Sequence, residues 1–427
     1  MLTVKRKITY RLYPSRAQAE VLEHLLGLHC RVYNTLLEEH RRQYEQGLPR
    51  YSFRLMCQDL TQWRTASSLA TVNAQSLQVT AKRVDLAFKA FFRRVRQGEA
   101  PGYPRFKAAQ RYPGWGYKTH GDGWKLHEGK KSNHRLYLSG VGTLTIRGRG
   151  RFEGAPKTCE IVRKTGRWYA SVTFDVGLKE LHRPCGSGLA AFDWGLKELL
   201  TLAKSDGTME TISNPRFLKQ SAAALTALQR AISGEEQKAK AVIGLRPTDP
   251  IPKGARLPVS RKLKRMYRQV ATLHRKIANQ RHDFYHKLAN LLVKRFGALA
   301  TEELDVQPMT QKPEAQPDQD GGFMPNGAGR KAKLNRSILD AAPAKLIQLL
   351  TCKAEEAGVW LGFANTKIVK PTQRCHQCGT LVAKTLEDRE HICSCGCLTD
   401  RDENAARTLL RWANEGYFWS GTVPAGS

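Results

Sequence analysis

The stretch Leu189–Ala203, LAAFDWGLKELLTLA, restricts what this chain can fold into more than any other. An apolar run, Leu189-Ala190-Ala191-Phe192, ends on a single carboxylate, Asp193. Trp194-Gly195 punctuates it, and Leu199-Leu200-Thr201-Leu202-Ala203 resumes the apolar pattern. A short apolar run bounded by a glycine signal reads as a buried strand, and the second run reads as its hairpin partner. Aspartate is depleted in strands and costly to bury alone. Asp193, at the tip of a core strand, therefore needs a turn to cap, a cation partner or a metal.

Two other places carry acids in the same kind of position. Leu299-Ala300-Thr301-Glu302-Glu303-Leu304 is a second apolar strand, and it ends in carboxylates. Thr399-Asp400-Arg401-Asp402-Glu403-Asn404 opens a helix-forming run, Ala405-Ala406-Arg407-Thr408-Leu409-Leu410. Capping explains one acid at a helix N-terminus, but this stretch offers three. Asp193, Glu302 and Asp402 thus lie far apart in sequence, each at an element end. That is the donor set of a two-metal phosphodiesterase, because Mg²⁺ takes hard oxygen ligands and bridges phosphate oxygens.

The cysteines form a separate constellation. Of ten in the chain, five fall between Cys375 and Cys397. Such crowding points to a metal site in a reducing compartment, not to a disulfide framework. Cys375-His376-Gln377-Cys378-Gly379 is a regular C-x-x-C knuckle, and Cys393-Ser394-Cys395-Gly396-Cys397 is an irregular C-x-C-x-C. Cys375 and Cys378 with Cys393 and Cys395 make four soft ligands for a structural Zn²⁺. Cys395 with Cys397, or Cys393 with Cys397, serve the second half equally, and His391 can substitute for one of them.

Charge identifies the partner. The 427 residues, room for about three domains, hold 70 Lys and Arg against 38 Asp and Glu, a net charge of +32. The excess is spread along the chain, so a long polyanion is the expected partner, and nucleic acid fits better than a membrane surface. The N-terminus lacks the apolar core of a signal peptide, and no stretch approaches membrane-spanning length. The expectation is a cytoplasmic protein without membrane contact.

Taken in order, Val4–Leu12 reads as a strand ended by Pro14. Ser15 to Gly98 reads as helical, with Ser15 as a cap and Val21, Leu22, Leu25, Leu26 and Leu28 as one apolar side. The stripe Phe88, Phe91 and Phe92 reads as core; Arg93 and Arg94 beside it are candidates for phosphate contact. Short alternating runs at Trp124–Leu126, Arg135–Leu138, Leu144–Ile146, Thr158–Arg163 and Trp168–Asp175 predict a small antiparallel barrel or sandwich. A break follows at Pro184 to Gly188. Helices are expected over Pro215–Ser233, Arg261–Phe296 and Asn335–Gly358. A mobile loop is expected over Gln311–Lys333, and a strand over Val359–Val369. The histidines of the second helix, His282 and His286, read as solvated or phosphate-facing.

These residues, taken together, resemble the TnpB proteins of insertion-sequence transposons, relatives of the compact type V CRISPR nucleases. The landmarks are Tyr10–Pro14, Arg31–Asn34, Ala87–Phe92, Gly102–Lys107, Asp283–Leu288, Leu334–Ile338, Cys375–Gly379 and Asp400–Ala406. The resemblance implies a bilobed α/β multidomain protein. A wedge β-barrel (1–14 and 101–185) would carry an inserted helical recognition domain (15–100). An RNase H-like, RuvC-type nuclease domain (186–371 and 398–427) would carry an inserted zinc ribbon (372–397). It implies Asp193, Glu302 and Asp402 as Mg²⁺ ligands. By position it sets Tyr51 and Gln78 where the family reads a flanking DNA motif. Arg105, Lys107 and Arg281 join Arg93 and Arg94 as candidate nucleic-acid contacts. The second knuckle departs from the family's C-x-x-C.

The function expected from the resemblance is an RNA-guided, Mg²⁺-dependent DNA endonuclease, one protein per guide RNA, acting on double-stranded DNA. Base pairing carries sequence recognition while the protein grips backbones, which calls for many cations and little base-edge chemistry. An RNA-guided repressor that does not cut and a DNA-strand transferase are the alternatives; the intact acid triad favours the nuclease.

Overall fold

The computed structural model describes residues 3–65, 67–127, 129, 134–148, 154–177, 186–252, 255–318, 322–385 and 388–415. Part of the break expected at 184–188, and the last residues of the chain, lie outside them. Two compact units divide at 181/182.

The first unit is built on a seven-stranded sheet of β1 (Thr3–Tyr13), β2 (Gly114–Tyr117), β3 (Trp124–His127), β4 (His134–Leu138), β5 (Gly142–Arg147), β6 (Ala155–Lys164) and β7 (Arg167–Gly177). The strand order is β2-β6-β7-β1-β5-β4-β3, and every pairing is antiparallel. The two edge strands, β2 and β3, are consecutive in sequence and joined by residues 118–123. The sheet therefore curls until its edges nearly meet, as a barrel requires. β2 is the strand missed in the sequence, since Gly-Trp-Gly-Tyr reads as a turn. The chain needs glycine there: Gly114 has φ +140°, and a Cβ would run into the carbonyl oxygen of Ile161 on β6.

Between β1 and β2 come α1 (Arg16–Glu45), α2 (Phe53–Thr65) and α3 (Ala74–Arg96). Ser15 starts α1 with a capping box shared with Gln18. Leu22, Leu25, Leu26, Val32, Leu36 and Leu37 make its buried side; α3 contributes Leu77, Ala81, Val84 and Phe88. Phe88 is core as expected, with His40 stacked on it at 3.5 Å between ring centroids. Phe92 is instead exposed.

The second unit carries the mixed sheet of β8 (Leu189–Trp194), β9 (Glu198–Lys204), β10 (Met209–Ser213), β11 (Ala298–Glu302) and β12 (Trp360–Ala364), in the order β10-β9-β8-β11-β12. β8, β9 and β10 are antiparallel neighbours, while β11 runs parallel to both β8 and β12. The intervening helices are α4 (Phe217–Gln220), α5 (Ala222–Val242), α6 (Arg261–Arg295), α7 (Val306–Met309), α8 (Ala328–Ala341), α9 (Pro343–Ala357) and α10 (Thr366–Val369). The hairpin β13 (Glu390–Ile392) and β14 (Leu398–Asp400) leads into α11 (Arg401–Asn414). The single helix expected over 335–358 is two. Ala342 turns left-handed at φ +43°, and Pro343 starts the next helix where its missing N–H costs nothing. The strand expected over 359–369 stops at Ala364, and α10 follows.

Strand alternation decides which side of this sheet each residue serves. Ala190 and Phe192 pack with Tyr285, Leu288 and Leu292 of α6 and Leu346 and Leu350 of α9. Ala191, Ala300 and Ala364 pack on the other face with Leu409 and Trp412 of α11. Asp193 shares parity with Ala191, and Glu302 with Ala300. Both acids therefore belong to the α11 face.

Candidate active site and cysteine cluster

Register brings two of the acids together. β8 and β11 pair Phe192 with Thr301, so Asp193 and Glu302 are the next residues along two parallel neighbours. Thr301 tightens this pairing by donating its hydroxyl to the Phe192 carbonyl at 3.0 Å. The alanines on this face let α11 lie close, and Ala405 and Ala406 are fully buried against the sheet. The N-cap of α11 is Asp400, whose carboxylate accepts from the backbone N–H of Asp402 (2.8 Å) and of Glu403 (3.3 Å). Asp402 is thereby relieved of capping. A Cβ on Gly195, just past Asp193, would lie 3.8 Å from Asp402 Oδ2.

The electrostatics record the convergence. Asp193 is 5% exposed. Burial, then the charges of Glu302 and Asp402, hold its carboxyl well above the usual range, against the opposing pull of Arg401. Burial pushes Glu302 up to about 7. Arg401 Nε lies 3.5 Å from Asp402 Oδ1. Burial and the mutual repulsion of these acids outweigh the pull of Arg401 on Asp193, and a divalent cation is the group that fits this donor set. Among the described residues, the donor sets gathered within 4.8 Å of one another are two that share Cys375. Asp193, Glu302 and Asp402 are not a set of this kind: their carboxylate oxygens do not all lie within 4.8 Å of one another.

The thiols make a tighter set. Cys375, Cys378, Cys393 and Cys395 form one group. Cys375 Sγ is 3.7 Å from Cys395 Sγ, and Cys378 Sγ is 3.5 Å from Cys393 Sγ. Tetrahedral Zn–S bonds of 2.3 Å imply sulfur separations of about 3.8 Å. The Thr380 hydroxyl and backbone N–H draw the Cys378 thiol down to about 6, favouring the thiolate a metal needs.

Sequence reading missed the residues that join this cluster to α11. Asn404 Oδ1 accepts from the His376 backbone N–H (3.1 Å) and ring Nδ1 (3.0 Å), and its Nδ2 donates to Arg374 O (2.7 Å). Thr408 donates to the same carbonyl at 3.0 Å, and Arg411 donates to Gln377 O at 2.8 Å. These three stand at i, i+4 and i+7, one helix face. The legible signal was a buried-looking Asn and Thr among Ala405, Ala406 and Leu409.

The expected nucleic-acid contacts divide. Tyr51 is buried, its hydroxyl bound to Asp59, so it offers no face to a base. Gln78 accepts from Lys118 at 2.8 Å. Arg281 pairs with Asp340 at 3.0 Å, and Asp340 also accepts from the N–H groups of Leu218 and Lys219. That arginine is spent inside the fold and does not serve as a free phosphate contact. Arg94 has its Nε buried. Arg93 is exposed and lines, with Arg50, Lys89, Phe92 and Arg96, a cavity of about 780 Å³. Arg105 and Lys107 are exposed, the Lys107 backbone being held by Asn34.

Residues 178–312 match the family OrfB_IS605, described as "Probable transposase", and residues 344–409 match "Cas12f1-like, TNB domain". Residues 1–48 match its "Helix-turn-helix domain", although here they contain strand β1 and the single helix α1. A "Putative RNA-guided DNA endonuclease" of Streptomyces pristinaespiralis is 30% identical over 422 residues, 96% of this chain and 90% of that protein. The chain belongs to the TnpB family. Another relative, InsQ of Escherichia coli (strain K12), a "Putative RNA-guided DNA endonuclease", is 26% identical over 415 residues, 94% of this TnpB-family chain and 90% of InsQ. The fold is that of compact type V effectors. The protein in "Cryo-EM structure of the Cas12f1-sgRNA-target DNA complex" superimposes at a TM-score of 0.55 with 12% identity, covering 95% of this chain and 98% of that one. Among the described residues no helix is long and apolar enough to cross a membrane.

Proposed function

We propose that this chain is an RNA-guided DNA endonuclease whose second unit is an RNase H-like nuclease domain, with Asp193, Glu302 and Asp402 as the metal-binding acids. What supports the reading is that these acids fall at the ends of β8 and β11 and in the first turn of α11, near enough for Glu302 and Asp402 to raise the Asp193 carboxyl. The sheet order, with an antiparallel hairpin on one side of β8 and parallel strands on the other, supports the RNase H-like assignment. The cysteine hairpin that leads into α11 serves as a structural zinc ribbon through Cys375, Cys378, Cys393 and Cys395.

Mg²⁺ bound by the three carboxylates would supply an activated water and neutralise charge on the scissile phosphate. The protein's own part is to orient. Thr301 locks β11 to β8, Asp400 takes the cap, and the Asn404 clamp sets the position of Asp402. Guide RNA and double-stranded target DNA are the partners. Arg93 and Arg96 line one cationic groove for a phosphate backbone, Lys89 and Arg50 beside them are partly neutralised by Asp85 at 3.1 and 4.0 Å, and Arg105 and Lys107 add exposed charge.

Purified protein with its co-purifying RNA is expected to linearise a plasmid that carries a matching target in Mg²⁺ and to spare it in EDTA. Asp193→Ala is expected to retain the RNA and lose cleavage. Full cleavage by that variant would refute the site. The alternative favoured by the description "Probable transposase" is a strand transferase, which would join ends as well as cut and would need no RNA. An RNA-guided repressor would bind the plasmid and leave it intact in Mg²⁺.

A further inference from the structure

The irregular second knuckle places more donors around Cys375 than one tetrahedral ion can use. A second group, Cys375, His391 and Cys397, also lies within 4.8 Å, and it shares Cys375 with the four-thiol set. The two sets differ in access. Cys378 and Cys395 are exposed, whereas Cys375, His391 and Cys397 are buried, His391 completely. Both ring nitrogens of His391 are buried and have no hydrogen-bond partner. No hydrogen bond holds either nitrogen, so the imidazole can turn to a metal ion without breaking one.

The hairpin explains how the second set forms. His391 pairs with Thr399 across β13 and β14, and the Cys393 N–H donates to Cys397 O at 3.0 Å to close the turn. With one residue between successive cysteines, the backbones of Cys393 and Cys397 meet across that turn and Cys395 lies between them in the turn. A C-x-x-C knuckle presents two thiols. This C-x-C-x-C presents three, and His391, two residues before Cys393, adds a nitrogen beside them.

We propose that the cluster is a single-ion site with two registers: a four-thiolate register on Cys375, Cys378, Cys393 and Cys395, and a buried reserve register on Cys375, His391 and Cys397. The reserve register offers three donors and leaves one position to water, so it binds more weakly than the closed set. Because Cys375 belongs to both, the knuckle keeps its ion, and its hold on α11, when an exposed thiol is lost. The inference rests on the zinc-ribbon reading above.

The test uses the full chain stripped of metal and titrated with Co²⁺, whose thiolate charge-transfer bands report sulfur ligation. The unmutated protein is expected to take up one equivalent with a four-thiolate spectrum, and Cys397→Ser to match it. Cys395→Ser is expected to keep one equivalent with about half the charge-transfer intensity, two thiolates in place of four. Cys395→Ser combined with His391→Ala, and Cys375→Ser alone, are expected to lose the ion. Loss of metal from Cys395→Ser equal to that from Cys375→Ser would overturn the reserve register. Two equivalents in the unmutated protein would overturn the single ion. No uptake by the unmutated protein would instead overturn the zinc-ribbon reading itself. Circular dichroism of each variant separates lost ligation from lost folding.

Discussion

Asn404 and His376 are locked to each other at two points. The Asn404 amide oxygen accepts from both the backbone N–H and the ring Nδ1 of His376, at 3.1 and 3.0 Å. Asn404 is fully buried, lies two residues beyond Asp402 on the same helix, and His376 sits inside the first cysteine knuckle. Removing the amide while keeping its bulk, as Asn404→Leu, is expected to lower the cleavage rate about 10- to 100-fold, the range typical of groups that orient metal ligands. The KM for target DNA should hold. Thr408→Ser, which keeps the hydroxyl on Arg374 O, should retain activity that Thr408→Val loses. Single-turnover kinetics at saturating DNA checks this, and an equal loss for Ser and Val would remove the clamp from the account.

The acid cluster strains the metal-free fold. Burial and the neighbouring charges of Glu302 and Asp402 raise the Asp193 carboxyl, so Asp193→Asn should abolish cleavage and also raise the melting temperature of metal-free protein near neutral pH. A gain of about 2–4 °C corresponds to about 1 kcal/mol for a unit of this size. Calorimetry in EDTA measures it, and a lower melting temperature would contradict the crowding.

Protonation gives a signed pH dependence. Glu302 moves from 4.5 to about 7 in the folded state, so between those values the native chain holds a proton that the unfolded chain has released. Stability of the metal-free protein should therefore fall as pH rises through that window. Divalent cations need the ionised carboxylates, so their affinity should rise through the same window. At limiting Mg²⁺, cleavage should increase from about pH 6 to about pH 8, and the midpoint should shift to lower pH as Mg²⁺ is raised. A midpoint indifferent to Mg²⁺ would argue against Glu302 as a ligand.

Lys370 turns left-handed at φ +48° at the end of α10, shortly before the first knuckle, and it is exposed. Glycine takes this conformation without the Cβ penalty. Lys370→Gly should stabilise the second unit by about 0.5–1 kcal/mol, whereas Lys370→Ala should not. Urea unfolding of both variants distinguishes relief of strain from loss of charge.

Much of the site was written in local pattern. The apolar run that ends on Asp193 marked a buried strand with an acid at its tip, and the packing of Ala191 with Leu409 and Trp412 then gave that acid its face. The cysteine spacing marked a metal knuckle, and the three acids of 400–403 signalled that one was spare. Other features had no local signature. The resemblance set Tyr51 where a flanking DNA motif is read, and its side chain is buried. Arg281 looked like a free cation, but Asp340, 59 positions away, holds it. Asn335–Gly358 looked like one helix because the apolar phase survives the left-handed turn at Ala342.

The sequence by itself determined which residues could bind a metal and where most of the strands and helices lie, because a period of two or 3.6 residues is legible within a few neighbours. Tertiary structure alone decided that β11 lies beside β8, that Thr301 reaches Phe192 across 109 positions, and that Asn404 ties the knuckle to Asp402. Those pairings are chosen by which faces bury best against one another over the whole unit, and no short window of sequence contains that competition.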